Sequence, residues 1–216
     1  MTAKPAPVES YLKLVAKTPS NEEVIDTYNN WTGTYDTELT PDKYRGPPTL
    51  AKTVVKYVSD KNTRILDVAA GSGLLVVELR KLGFVGLFDG LDPAVELAKK
   101  AIEKKLYEKY YHFFIKPDEP CSLADGSYDH ITCCGAIIPG HIHYTGINEF
   151  LRLCKKGGYV FIAMKGGYIQ PDGQFPGFDD HLKSLVDSGV CDVVERFNFE
   201  NYFFTDAGVL LVLQKK

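Results

Sequence analysis

Apolar residues Val8, Tyr11, Leu12 and Val15 recur at i, i+3, i+4 and i+7, the spacing of one helix face. Residues 1–7 read as a disordered tail before this stripe, and Thr18-Pro19-Ser20-Asn21 breaks it. A second helix is expected from about residue 21 to residue 38, with Gly33 a weak point inside it. Pro41 and Gly46-Pro47-Pro48 punctuate a loop, after which Leu50, Val54, Tyr57 and Val58 mark a third helix. From Arg64 the rhythm changes. Short apolar runs predict strands at 65–68, 86–91, 112–115, 128–134 and 159–164. Between them lie helical stretches at 74–82, at Ala94, Leu97, Ala98, Ala101 and Ile102, and at Ile147, Phe150, Leu151 and Cys154. A helix at 178–188 and strands at 191–204 and 208–214 complete the pattern. Alternating strands and helices mean βαβ units and a mainly parallel sheet. The last two strands meet across Thr205-Asp206-Ala207-Gly208, a hairpin connection, so one of them runs antiparallel.

One connection carries chemistry. Leu66-Asp67-Val68-Ala69-Ala70-Gly71-Ser72-Gly73 joins the first strand to the next helix. Glycines there let backbone approach a ligand, and the helix N-terminus beyond offers free N–H groups and a partial positive charge. A plain tight turn is the alternative. A dinucleotide site wants G-x-G-x-x-G/A, and Val76 occupies the third position. Asp92 ends the second strand 19 residues beyond Gly73. An acidic residue about 20 residues on is placed to accept the two hydroxyls of a ribose. It is also placed to cap a helix for which Pro93 suits the first position.

The spacing D-x-A-x-G-x-G from Asp67 to Gly73 resembles the D/E-x-G-x-G-x-G loop of class I S-adenosylmethionine-dependent methyltransferases, with Ala69 in place of the first glycine. Gly90-Leu91-Asp92-Pro93-Ala94 resembles their second motif, and Leu123-Ala124-Asp125-Gly126-Ser127-Tyr128-Asp129 their approach to the fourth strand. Leu151-Arg152-Leu153-Cys154-Lys155-Lys156-Gly157-Gly158 resembles the segment before their fifth strand, and Tyr28-Asn29-Asn30-Trp31-Thr32-Gly33-Thr34-Tyr35-Asp36 their cap. The likeness extends over residues 22–215 and is strongest to the methyltransferase-like proteins of vertebrates. It implies a Rossmann-like, doubly wound α/β fold: a seven-stranded, mostly parallel sheet in the order 3-2-1-4-5-7-6 with an antiparallel last strand. It also implies a tail and short helix over 1–20, a helical cap over 21–60 and the methyltransferase domain over 61–216. The implied cofactor is S-adenosylmethionine. Asp67, Ala69, Gly71, Ser72 and Gly73 would line its methionine end, and Cys134 and Gly135 would face the amine through backbone. Asp92 would hold the ribose and Leu91 would pack on the adenine. Tyr28, Trp31 and Tyr35 would close over it as an aromatic lid, or else pack as ordinary core. The acidic residue that often binds the adenine amino group falls near Pro117, with Asp118 one position off.

The remaining composition narrows the partner. The 216 residues carry a formal net charge of −3, with no long basic run, which argues against a nucleic-acid acceptor. The resemblance and this balance favour a small-molecule acceptor, with a protein side chain as second choice, on a monomer or weak dimer. Five cysteines in no CxxC pair fit a reducing compartment, and the N-terminus carries no signal-peptide pattern. The expectation is a cytoplasmic protein, or a nuclear one, off the membrane. His141 and His143 follow the fourth strand and are the candidate general bases, or else plain loop residues. Cys133, Cys134, His141 and His143 match no zinc spacing, so no metal is expected. The lysines at 99, 100, 104, 105 and 109 are interleaved with Glu96, Glu103 and Glu108 and read as a solvated face. Two rival functions stay open: an NAD-type oxidoreductase, and a non-catalytic S-adenosylmethionine-binding partner protein.

Overall fold

A computed structural model describes residues 7–17, 19–117 and 119–216. Four helices precede the sheet: α1 (Pro7–Val15), α2 (Asn21–Trp31), α3 (Tyr35–Glu38) and α4 (Gly46–Tyr57). Ser20 starts α2 with a reciprocal cap. Its Oγ accepts the Glu23 N–H at 3.3 Å, and its own N–H donates to Glu23 Oε2 at 2.8 Å. The single helix expected over 21–38 is two helices, α2 and α3. Thr32 Oγ1 donates back to the Tyr28 carbonyl at 3.0 Å, and Gly33 follows with open space around it. Back-bonding and a glycine together end the helix there.

The rest is β1 (Arg64–Val68), α5 (Leu74–Lys81), β2 (Leu87–Leu91), α6 (Val95–Glu103), β3 (Lys109–Tyr111), β4 (His130–Cys134), α7 (Ile147–Leu153), β5 (Tyr159–Lys165), α8 (Phe178–Asp187), β6 (Cys191–Phe203) and β7 (Asp206–Lys215). The strands form one sheet in the order β3-β2-β1-β4-β5-β7-β6. All pairs are parallel except β5 with β7 and β6 with β7. This is the Rossmann-like order expected. Ile65, Leu66, Val68, Ile131, Cys133 and Ile162 are fully buried, and helices cover the central strands. Each such aliphatic side chain contributes roughly 1.5–3 kcal/mol. Neighbouring Cys133 and Cys134 fall on opposite faces: Cys133 in the core, Cys134 on the ligand side.

Three boundaries differ from the sequence reading. The third strand is 109–111, not 112–115, because Tyr111 lies opposite Leu91 and pairing stops at the sheet's carboxyl edge. The apolar run Phe113-Phe114-Ile115 lines a cavity instead of pairing with a neighbouring strand. The hairpin turns at Phe204 and Thr205, with Phe204 at φ +51°, two residues earlier than expected. Gly208 lies inside β7, where a Cβ would come within 2.6 Å of the Phe199 ring, so it serves packing and not the turn. Finally, α6 starts at Val95, so Pro93 precedes the helix instead of opening it.

Candidate functional site

Strand order reverses between β1 and β4, and the carboxyl edge of the sheet opens there, the usual ligand crevice of such folds. After Val68 the chain turns through Ala69, Gly71 and Gly73 at φ +55°, +52° and +86°. Ala69 thus holds the left-handed conformation expected of the absent glycine, at a cost of about 1–2 kcal/mol. The turn is tied down on both sides. Ala70 N–H donates to the Leu91 carbonyl at 3.2 Å, and Tyr110 Oη donates to the Gly71 carbonyl at 2.8 Å.

Asp92 and Gly71 meet directly. Asp92 Oδ2 accepts the Gly71 N–H at 2.9 Å, and its Oδ1 accepts the Ala94 N–H at 2.7 Å. Asp92 is therefore two residues ahead of the α6 cap position, which Ala94 occupies. Burial pushes its carboxyl up to about 6, opposed by those two N–H donors. Asp67 is buried beneath the turn. Thr132 Oγ1 and Tyr107 Oη each donate to it at 2.8 Å, and burial pushes it up to about 6 against those bonds.

Ala69, Gly71, Leu91, Asp92, Cys134, Gly135 and Tyr35 line one cavity, with about 640 Å³ free of protein atoms including its open mouth. Tyr28 joins them, as does the apolar wall Leu97, Phe113 and Ile115. Asp67 and Ser72 line a smaller cleft that shares Ala69, Tyr35 and Cys134 with it. Gly73 lies behind, with Leu106 and Tyr107 against it. Ser72 is turned to the cap: its Oγ donates to Asp36 Oδ1 at 2.5 Å, and Lys104 Nζ bridges Asp36 Oδ2 at 2.7 Å and the Ser72 carbonyl at 3.0 Å. That clasp makes Lys104 more than the solvated lysine its charge pattern suggested.

Among the described residues no Lys or Arg lines the main cavity, while Asp92 does. Such a lining suits a cationic ligand with donor hydroxyls and disfavours a pyrophosphate. A Cβ at Gly71 would stand 4.0 Å from Asp92 Oδ2 and 3.8 Å from Leu97, inside the cradle a ligand would occupy. The residues present therefore fit an S-adenosylmethionine site. The N-terminus of α5, capped by no side chain, offers backbone N–H groups to a carboxylate.

Residues 59–182 match a family profile described as a methyltransferase domain. The chain belongs to this family. It is 28% identical to the human methyltransferase-like protein 27 over 149 residues, covering 68% of this chain and 60% of that protein. It is 32% identical to the ubiquinone/menaquinone biosynthesis C-methyltransferase UbiE of Geotalea daltonii over 113 residues, 50% of this chain and 47% of that one. The chain thus spans about half to three fifths of these relatives' length. Among solved structures, an S-adenosyl-L-methionine-dependent methyltransferase of Methanococcus maripaludis superposes with a TM-score of 0.60 at 15% identity, over 87% of this chain and 93% of that one. Family and fold together identify a class I methyltransferase domain whose cofactor is S-adenosylmethionine.

Other sequence-singled residues take different places around this methyltransferase domain. Trp31 is buried behind the lid position. Its Nε1 donates to Glu38 Oε2 at 3.0 Å, its ring stacks on Tyr28 at 6.2 Å, and it lines a second cavity instead of the first. Tyr28 and Tyr35 face both cavities. His141 reaches the main cavity, but its Nε2 meets Tyr28 Oη at 3.1 Å and its Nδ1 the Pro139 carbonyl at 3.3 Å. The carbonyl fixes the proton on Nδ1, so Nε2 accepts from the phenol, and burial pulls the imidazole down to about 4. Such a histidine stays neutral and is a weak base. His143 caps the turn at Tyr144–Gly146, accepting the Thr145 N–H at 3.3 Å, and packs on Tyr144 and Phe175 away from the main cavity. Burial pushes the Cys134 thiol up to about 12, which leaves it protonated beside Tyr44 Oη at 3.4 Å. Asp118 lies outside the described residues, and Leu91 lines the cavity as expected. Tyr44, Tyr107 and Tyr110 were missed by sequence reasoning, because single aromatics far from any motif carry no spacing signal. Among the described residues no cluster of His, Cys, Asp and Glu side chains could hold a metal, and no helix is long and apolar enough to cross a membrane.

Proposed function

We propose that this chain transfers a methyl group from S-adenosylmethionine to a small-molecule acceptor. The observation that carries the reading is the direct bond from Gly71 N–H to Asp92 in a cavity with a carboxylate and, among the described residues, no cationic side chain. When bound, S-adenosylmethionine supplies a methyl carbon made electrophilic by a sulfonium. The protein's work is to bind, orient and exclude water. Asp92 keeps lone pairs beyond the two used by Gly71 and Ala94, enough to accept two ribose hydroxyls. Gly71, Ser72, Gly73 and the N-terminus of α5 would hold the carboxylate of the amino-acid tail, with Ala69 in the turn. Asp67 and the backbone of Cys134 and Gly135 would face its amine. Leu91 with Phe113 and Ile115 forms the adenine wall. Tyr35, with Tyr28, closes the cap side, and Trp31 supports them from behind.

A nucleotide-dependent oxidoreductase is the rival class. It would require Asp67 and Asp92 to sit beside phosphates, and Val76, fully buried, to occupy the third glycine position. A non-catalytic cofactor-binding role is the other. Two measurements separate them. Isothermal titration with S-adenosylhomocysteine should give saturable heat and NAD none, and the reverse pattern ends the reading. Methyl transfer from labelled S-adenosylmethionine into a deproteinised metabolite extract should then appear, and label found only in protein would make the acceptor a side chain.

A further inference from the structure

A second cavity adjoins the first: Tyr28, Tyr35, Tyr44 and Gly135 line both. Its occupant would therefore lie beside the ligand held at Gly71 and Asp92. Methyl transfer requires an acceptor in line with the bond being broken, so a neighbouring cavity that opens on the same residues is the place for it. This inference rests on the methyl-transfer reading above.

The chemistry of the lining is unusual in two respects. First, it is a box of rings. Tyr11 lies 5.3 Å from Trp31 and 5.8 Å from Phe203, and Phe203 lies 5.7 Å from Tyr44, measured between centroids. Tilted and edge-on rings at these separations pack on one another and present the cavity with a continuous aromatic wall, a surface on which a flat aromatic body can lie. Second, among the described residues the lining holds a single pair of opposite charges. Lys165 Nζ meets Asp206 Oδ2 at 2.8 Å, and the side chains are 34% and 35% exposed. An ammonium has three donors and Asp206 takes one, which leaves Lys165 able to hold a second oxygen. Its position above the Tyr168 ring, 5.5 Å from the centroid, keeps the head at the cavity.

The uncharged groups that line the two cavities are weak bases. His141 is depressed to about 4, Cys134 and Tyr168 are raised to about 12, and Tyr11, Tyr28, Tyr35, Tyr44 and Tyr202 stand above the usual phenol range through burial. The two carboxylates are engaged elsewhere: Asp92 accepts the Gly71 and Ala94 N–H groups at the ribose position, and Asp206 is paired with Lys165. A nucleophile that arrives ionised needs no base.

We propose that the second cavity is the acceptor site and selects a small planar aromatic molecule with an ionised oxygen, a phenolate or an aromatic carboxylate, its body laid against the wall of Tyr11, Trp31 and Phe203 and its charge met by Lys165. In the transfer, the acceptor oxygen gives a lone pair to the methyl carbon. The carbon–sulfur bond breaks with its electrons on sulfur. The products are a neutral methyl ether or ester and the thioether S-adenosylhomocysteine, and no proton moves. Opposite charges annihilate in that step, which an apolar, water-poor cavity favours.

Trp31 is the chain's one tryptophan and lines this cavity, so intrinsic fluorescence reports occupancy directly. The full chain, saturated with S-adenosylhomocysteine, is titrated with benzoate, benzamide and benzylammonium, with calorimetry in parallel. Benzoate should bind about tenfold tighter than benzamide, the difference between a charge-assisted and a neutral hydrogen bond, and should change Trp31 emission. Lys165→Met should erase that preference while leaving S-adenosylhomocysteine affinity unchanged. Asp206→Asn, which releases Lys165 from its partner, should widen it, and this variant carries the test if Lys165→Met melts early. Equal binding of benzoate and benzamide to the wild type, or tightest binding of benzylammonium, overturns the proposal. The two failures are separable. Absence of S-adenosylhomocysteine binding with the benzoate preference intact overturns the transfer reading, whereas intact S-adenosylhomocysteine binding without the preference overturns the acceptor class alone.

Discussion

The two cavities that share Gly135 are built from different materials. The one around Gly71 and Asp92 has an apolar side-chain wall but is anchored on backbone: a left-handed turn, two N–H groups on one carboxylate, and the ends of β1, β2 and β4. The one around Trp31 is made of side chains from α1, α2, α3, the loop before α4, the end of β5 and the β6–β7 hairpin. Backbone construction imposes residue types at fixed spacing. Side-chain construction imposes only bulk and ring character, which many arrangements of positions satisfy. A common cofactor with a changeable acceptor follows from that division.

Gly135 lines both, and replacing it tests both at once. It adopts φ +78°, and a Cβ would come within 2.1 Å of Tyr44 Oη. Gly135→Ala should destabilise the fold by about 2–4 kcal/mol, combining left-handed strain with overpacking, read by denaturant unfolding. A near-neutral result would mean that Tyr44 moves freely, and that the lining the cavities share is soft.

Protonation should act on the first cavity with opposite signs on stability and on binding. Asp67 and Asp92 are both raised to about 6 by burial. Between their unfolded value near about 3.9 and that point the folded chain holds more protons than the unfolded one. Stability should therefore fall as pH rises from about 4 to 6 and level off above. Cofactor binding to hydroxyl donors wants Asp92 ionised, so S-adenosylhomocysteine affinity should rise about tenfold between pH 5 and 7. Benzoate selectivity in the second cavity, set by Lys165, should stay level over the same range. An affinity for the nucleoside that ignores pH would remove Asp92 from its site.

The smallest effect concerns the turn itself. Ala69 carries the left-handed strain at φ +55°, so Ala69→Gly should stabilise by less than about 1 kcal/mol, the relief being offset by the glycine's greater entropy loss. Thermal melting checks it. A clear loss would mean that the Ala69 methyl packs productively.

What was legible in the sequence follows the same division. Gly71 and Asp92, 21 positions apart, were readable together because the turn and the strand end are backbone requirements, and they bond in the structure. The mainly parallel sheet followed from βαβ alternation and its antiparallel end from the terminal hairpin, whereas the strand order came with the family resemblance. Phe113-Phe114-Ile115 misled because an apolar run looks the same whether it pairs with a strand neighbour or lines a cavity. Gly208 misled because a glycine near a turn suggests the turn, when its role is to admit Phe199. His141 and His143 were equal in sequence, and only burial and partners distinguish the one against Tyr28 from the one capping a turn. Trp31 was visible as an aromatic, but its cavity was not, because Tyr11, Lys165 and Phe203 come from segments that share no motif.

Titration of Asp92→Ala with S-adenosylhomocysteine, beside a thermal melt of the same variant, probes the Gly71–Asp92 cradle most directly. Affinity should drop by about 1–3 kcal/mol, the worth of hydrogen bonds to a charged group, with the fold intact. Unchanged affinity together with a lowered melting temperature would make Asp92 a fastener of the turn and leave the nucleoside without its anchor.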